Sequence, residues 1–228
     1  MTKSIKDLSP EEKKYVKGIL ALQGDVEYGF YNLYLEWQSK DYTSSEQRWR
    51  TARMVTDEVG HGLQIVRLVK QMGDLDLQKK LENKPFGSND ISIFNQKLET
   101  WDDVVMVATV LSQIDSLNLT AMSNCSVTEL AELAKTFLLQ ETLHLDFGLN
   151  SIEEILKGDS NLGSKEMLKK SFQRYINSFD DLFAFGKQNP GDNESLDYHF
   201  GDIDSQRKEF LEKLKIQLER FDLNISYQ

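Results

Sequence analysis

The sequence predicts an all-α protein, and three observations carry that prediction. Only three prolines and thirteen glycines interrupt 228 residues in which Leu, Lys, Glu, Gln and Ala dominate long stretches, and these are the side chains that give up least on entering a helix. Apolar residues recur at three- and four-residue offsets through those stretches, the period of an amphipathic helix. Twice, a carboxylate and an imidazole are set into such a stripe three residues apart: Glu58 and His61 in Asp57-Glu58-Val59-Gly60-His61-Gly62, and Glu141 and His144 in Glu141-Thr142-Leu143-His144. Residues at that spacing project from one helix face, one turn apart. The length suits one core, so a single domain over residues 1–228 is expected.

Taken in order, Ser9 reads as the N-cap and Pro10 as the first residue of a helix running to about Ser39. Ile19, Leu20, Phe30, Tyr31 and Tyr34 form its apolar positions, and Glu27 falls among them, an unusual place for a glutamate. A turn near Asp41 to Ser45 leads into a second helix from Ser45 to Met72, with Gly73 suited to a left-handed C-terminal cap. Glu27 and Glu58 are equidistant from that turn, so in an antiparallel hairpin they lie at one height, facing each other. From Gly73 to about Thr100 the chain has room for short helices only, broken at Pro85 and Gly87. A long connection between the second and third main helices is the crossover of a ferritin-like four-helix bundle, as opposed to the short loops of an up-down-up-down bundle.

The third helix, Trp101 to about Met122, places Asp115 on a stripe with Val104, Ala108, Leu111, Leu119 and Met122. Aspartate favours caps and turns over helix interiors, so its position there points to an inward role. After a turn at Asn124-Cys125-Ser126 the fourth helix runs from about Val127 to Leu156. Asp115 lies nearer the turn than Glu141 does, a mismatch that a few extended turn residues would absorb. Two additional C-terminal packing helices are expected, from about Ser164 to Lys187 and from about Ser205 to Phe221, separated by an acidic loop holding His199. That loop reads as solvated, because its carboxylates match no metal-ligand spacing.

Four helices thus contribute Glu27, Glu58 with His61, Asp115, and Glu141 with His144. Buried without a cation, four carboxylates lose hydration and repel one another, so burial implies protonation or metal. One Glu from each of two helices and a Glu-x-x-His from each of two others is the ligand set of ferritin-like di-iron and di-manganese proteins, met here with Asp in place of one Glu. Asp57 is placed to orient a ligand imidazole from its outer nitrogen, with a surface aspartate as the alternative. Gly24, Gly62 and Gly148 either leave space for dioxygen or substrate or allow close helix packing.

Composition excludes other classes. The formal charge of −10, from 27 Lys and Arg against 37 Asp and Glu, disfavours a nucleic-acid partner. No run of apolar residues reaches the length of a membrane span, so no membrane partner is expected. A lone Cys125 and an N-terminus without an apolar leader segment lead to the expectation of a cytoplasmic protein.

The stretches Asp57 to Leu63, Trp101-Asp102-Asp103-Val104-Val105 leading to Asp115, and Glu141 to His144 followed by Phe147-Gly148 resemble the catalytic-subunit family of the phenylacetyl-CoA and benzoyl-CoA epoxidases. The similarity continues through Phe185-Gly186 and the acidic loop, covering most of the chain from about Leu22. The resemblance implies that Glu27, Glu58, His61, Asp115, Glu141 and His144 are ligands of two iron ions, with manganese as the alternative metal. It further implies a monooxygenase that activates O2 and epoxidises the ring of an aromatic acyl-CoA in phenylacetate degradation, with electrons from a separate flavin and iron-sulfur reductase. A homologous non-catalytic subunit or a homodimer is the expected assembly. Arg48, Arg50, Arg53, Lys169, Lys170 and Arg174 are candidates for a phosphate pocket. The competing readings are a ferritin-like metal-binding or accessory subunit without oxygenase activity, and a related hydroxylase acting on RNA, which the charge disfavours.

Overall fold

In the computed structural model, residues 2–35, 37, 44–83, 89–158, 163–177, 183 and 188–224 are described. Among them are seven α-helices and no strands. They are α1 (Pro10–Leu35), α2 (Ser45–Gln71), α3 (Leu75–Glu82), α4 (Trp101–Asn124), α5 (Thr128–Lys157), α6 (Lys165–Asn177) and α7 (Ile203–Glu219). The architecture is an all-α, ferritin-like bundle, in which α1 pairs most extensively with α2 and α4 with α5.

Local chemistry sets the helix ends. Ser9 Oγ accepts from Glu12 N while Glu12 Oε2 accepts from Ser9 N, and Ser44 with Gln47 and Thr100 with Asp103 make the same reciprocal cap at α2 and α4. Gly73 and Gly158 take φ of 76° and 75° after α2 and α5, conformations in which a side chain is strained. The turn anticipated between α1 and α2, and the expected end of α1 at Ser39, fall largely on residues outside those described. Their pairing is nonetheless fixed, because Gly24 sits against Ile65 and, one turn on, Glu27 meets His61. Rising index on one helix with falling index on the other marks an antiparallel hairpin.

The crossover between α2 and α4 carries α3 and a short 3-10 turn, Ser92–Asn95, and it lies on α1. Leu81 and Phe94 occupy the space where side chains at Gly24 and Gly29 would stand, and Asp25 carboxylate oxygens accept from the backbone of Asp90 and Ile91 at 3.2 and 3.1 Å. At the other connection Cys125 and Val127 are extended. A Cβ on Gly148 of α5 would lie 2.9 Å from the backbone nitrogen of Thr109, a close approach that sets the α4–α5 register and brings Asp115 level with Glu141. The three glycines near the site therefore serve packing: Gly24, Gly62 and Gly148 all abut neighbouring atoms, leaving no room there for dioxygen or substrate.

Of the C-terminal elements, α6 packs on α4 and α5 and α7 on α4. Asp103 of α4 accepts from Ser171 at 2.6 Å and pairs with Arg174 on α6. The predicted extension of α6 to Lys187 lies mostly outside the described residues. The acidic loop is less solvated than its charge suggested: Leu196, Tyr198 and Phe200 are buried, while His199 is exposed. The α4 segment is apolar and long enough to cross a membrane, yet 78% of its apolar window is buried in the bundle, which accounts for that composition.

The buried apolar residues fall into two clusters, and each of the four main helices passes from one to the other. One cluster ends at Leu20 on α1, resumes at Ile65 on α2 and Leu119 on α4, and ends at Phe137 on α5. The other begins at Leu22, reaches Val55, ends at Ile114 and resumes at Phe147. Glu58, His61, Asp115, Glu141 and His144 lie within that changeover, and Glu27 lies beyond it on α1, between Val26 and Phe30 of the second cluster.

Candidate metal centre

All six residues are buried, with exposures from 0% for Glu27, Glu58 and Asp115 to 2% for His144. Glu27, Glu58, His61 and Glu141 each bring one ligand-type atom within 4.8 Å of the others. His144 joins them, its Nδ1 lying 3.1 Å from Glu58 Oε1 and 3.3 Å from Glu141 Oε1. Asp115 is attached through Gln23, whose Nε2 donates to Glu27 Oε1 at 2.6 Å and to Asp115 Oδ1 at 2.8 Å. His61 Nδ1 is 2.9 Å from Glu27 Oε2 and 3.6 Å from Glu58 Oε2.

Behind the imidazoles lies a crossed arrangement. Asp57, which precedes Glu58, places Oδ2 3.4 Å from Nε2 of His144 on the other helix. Gln140, which precedes Glu141, places Oε1 2.7 Å from Nε2 of His61. Gln140 Nε2 also donates to Asp57 Oδ1 at 3.0 Å. Both outer partners are acceptors, so each imidazole carries a proton on Nε2, and in the neutral tautomer its Nδ1 lone pair faces the carboxylates. The ring of Phe137 stacks on His61 at 3.8 Å between centroids, fixing its plane.

Burial pushes Glu27 up from 4.5 to about 7, against the pull of His61 and with Glu58 adding to the rise. Burial likewise holds Asp115 well above the usual carboxylate range, helped by Glu27 and Glu141 and opposed by Gln23. For His61 and His144, burial alone would lower the pKa, but Glu27 and Glu58 for the first, and Glu141 with Asp57 for the second, raise it. The metal-free centre therefore retains protons that offset its carboxylate charge.

The donor atoms suit a metal. Both oxygens of Glu58 and of Glu141, Asp115 Oδ2 and His144 Nδ1 are buried with no hydrogen-bond partner, and their close approaches lack hydrogen-bond alignment. Orphaned buried acceptors of this kind are costly unless something binds them. Carboxylate and imidazole together suit iron or manganese.

Several residues of the site were not singled out in the sequence. Gln23 was findable, standing one turn before Glu27 on the same face. Gln140 was findable by analogy, because it precedes Glu141 as Asp57 precedes Glu58. Tyr34 read as one more apolar-stripe position, yet its hydroxyl is buried without a partner, and burial followed by the charges of Glu58 and Glu141 raises its pKa well above 10.0. Of the candidate phosphate-binding cations, Arg50 and Arg53 line a cleft of about 280 Å³ between α2 and α5, together with Trp49, Leu143 and Phe147, that reaches Asp57 and His144. Arg174 is engaged by Asp103 and Glu99 and Lys170 by Glu166.

Fold and site together define a helical bundle protein with a buried carboxylate and imidazole cluster able to bind metal ions. A family model, phenylacetic acid catabolic protein, matches residues 46–227. The chain belongs to that family. The match takes in Glu58, His61, Asp115, Glu141 and His144 and begins after Glu27. No curated protein sequence matches the chain.

Proposed function

We propose that this protein is a di-iron monooxygenase acting on the ring of an aromatic acyl-CoA in phenylacetate catabolism. One observation carries the reading: four carboxylates and two imidazoles are buried together in the bundle core, and the oxygens of Glu58 and Glu141 have no hydrogen-bond partner. Membership of a phenylacetic acid catabolic family supports the substrate class.

Glu27, Glu58, His61, Asp115, Glu141 and His144 would hold two metal ions, with Asp57 and Gln140 orienting the imidazoles. Iron in such a site supplies dioxygen activation and oxygen insertion, using electrons from an external flavin and iron-sulfur reductase. The chain's own contribution is positional. The apolar layers exclude water, His61 and His144 present Nδ1 inward, and the protons held on the metal-free cluster leave when cations replace them. The cleft beside Trp49, Leu143 and Phe147 gives an aromatic ring a path toward His144, with Arg53 at its side for an anionic group. A cytoplasmic location and a companion subunit or second copy complete the proposal.

The test is anaerobic reconstitution with Fe(II), then reduction and exposure to 18O2 with phenylacetyl-CoA. About two irons per chain and one labelled oxygen in the product support the reading. Fewer than one metal per chain overturns it. Two irons without oxygenated product favour the accessory, metal-holding subunit.

A further inference from the structure

We propose that Gln23 is a positioning residue for the metal centre, and that a one-way relay of side-chain amides fixes it; the inference rests on the metal-binding reading above. Gln23 is fully buried. Its amide nitrogen has two protons, and both are used: one goes to Glu27 Oε1 at 2.6 Å and one to Asp115 Oδ1 at 2.8 Å. A single group thus sets the distance between the carboxylates that α1 and α4 contribute. It leaves Asp115 Oδ2 unpartnered and Glu27 Oε2 facing His61.

A glutamine amide can rotate to exchange its oxygen and nitrogen, but here its orientation is dictated from outside. Gln23 Oε1 accepts from Asn118 Nδ2 at 2.6 Å. Asn118 Oδ1 in turn accepts from Asn189 Nδ2 at 2.9 Å and from the Tyr198 hydroxyl at 2.6 Å. Asn189 Oδ1 accepts from the backbone of Gly191 at 3.0 Å. Every donor in the series points toward the centre. Chains of aligned hydrogen bonds reinforce one another, and this one ends on two carboxylates whose burial opposes their ionisation. The loop at 189–198, remote in sequence from every candidate ligand, thereby holds the first-helix half of the site in place.

The experiment titrates the purified full chain with Co(II), read by its visible ligand-field bands, and with Fe(II) under anaerobic chelator competition. Parent, Gln23→Met and Tyr198→Phe are compared. Gln23→Met keeps length and burial but removes both donors, and it is expected to lower metal affinity by about tenfold or more and to change the Co(II) bands while helical circular dichroism is retained. Tyr198→Phe, which removes one of two donors to Asn118, is expected to shift both readouts in the same direction by less. A merely structural role would lower thermal stability without altering the bands of the folded protein. If Gln23→Met does not fold, Tyr198→Phe decides. Parent-like affinity and bands in the folded variants overturn the role of Gln23 alone. A parent that binds neither metal overturns the metal reading and this inference with it.

Discussion

The two halves of the centre are held differently. On the α2 and α5 side, Glu58 and Glu141 have free oxygens, and the protein's grip is on the histidines, through the crossed contacts from Asp57 and Gln140. On the α1 and α4 side there is no histidine, and the grip is on the carboxylates themselves, through Gln23. The difference shows what each half must do without metal. Imidazoles oriented from behind are set to present Nδ1 once the protons of the metal-free cluster leave, while the carboxylates of α1 and α4, with no imidazole on their own helix, are held in position by a shared donor.

The largest expected effect comes from removing a candidate ligand in the first half. Glu58→Ala, or His144→Ala, is expected to abolish metal binding while leaving the helical fold, read by metal analysis and circular dichroism; retained stoichiometry in either would place the site elsewhere. Next come the supporting residues. Asp57→Leu and Gln140→Leu are each expected to weaken metal affinity by about 10- to 100-fold, with Asp57 the greater because its acceptor is charged. Since the two are hydrogen-bonded to each other, the double variant should lose less than the product of the singles. Strict additivity in chelator competition would break the crossed arrangement.

A smaller effect distinguishes the halves by pH. Glu27 and Asp115 titrate above their ordinary values of 4.5 and 3.8 in the fold, and the histidines above 6.5. The folded metal-free chain consequently binds more protons than the unfolded chain above about pH 4.5, and stability falls as pH rises. The Glu27 contribution is complete below 4.5 and lost as pH climbs through about 7, with the histidines extending the decline. Carboxylates held low, such as Asp57 and Glu129, act at lower pH. The Tm of the metal-free protein should fall between about pH 5 and about pH 8; a rising Tm would mean the cluster is not protonated. The smallest effects are at glycines. Gly148→Ala, pressed against α4, is expected to cost about 1–3 kcal/mol, partly offset by helix propensity. Gly60→Ala, with nothing within 4 Å, is expected to stabilise by about 0.5–1 kcal/mol. Urea midpoints of the two, compared with the parent, check this.

How much of this was legible follows from the range of the interactions involved. Helices α1, α2, α4 and α5 were readable because their periods and caps are local, and Glu58 with His61 and Glu141 with His144 because each pair sits on one helix. Bringing Glu27 opposite Glu58 needed only a hairpin. Asp115 was harder, since its level depends on where Gly148 meets Thr109. The crossing of Asp57 to His144 and Gln140 to His61 was not readable, because it joins helices with the whole crossover between them. The acidic loop misled by its composition: its charges are outside, but Leu196, Tyr198 and Phe200 anchor it.

The crossover laid along α1 also bears on how the centre is assembled. The α4–α5 hairpin closes over three residues and α1–α2 over a short connection, whereas α1 is clamped by Leu81, Phe94 and the Asp25 hydrogen bonds only after a much longer loop has closed. Loop length alone predicts that this clamp on α1 closes after the two hairpins have formed. A metal ion meeting a partly folded chain would find the candidate ligands of each hairpin before the two sets meet, so maturation of the proposed site is tied to the docking of a segment that holds none of them.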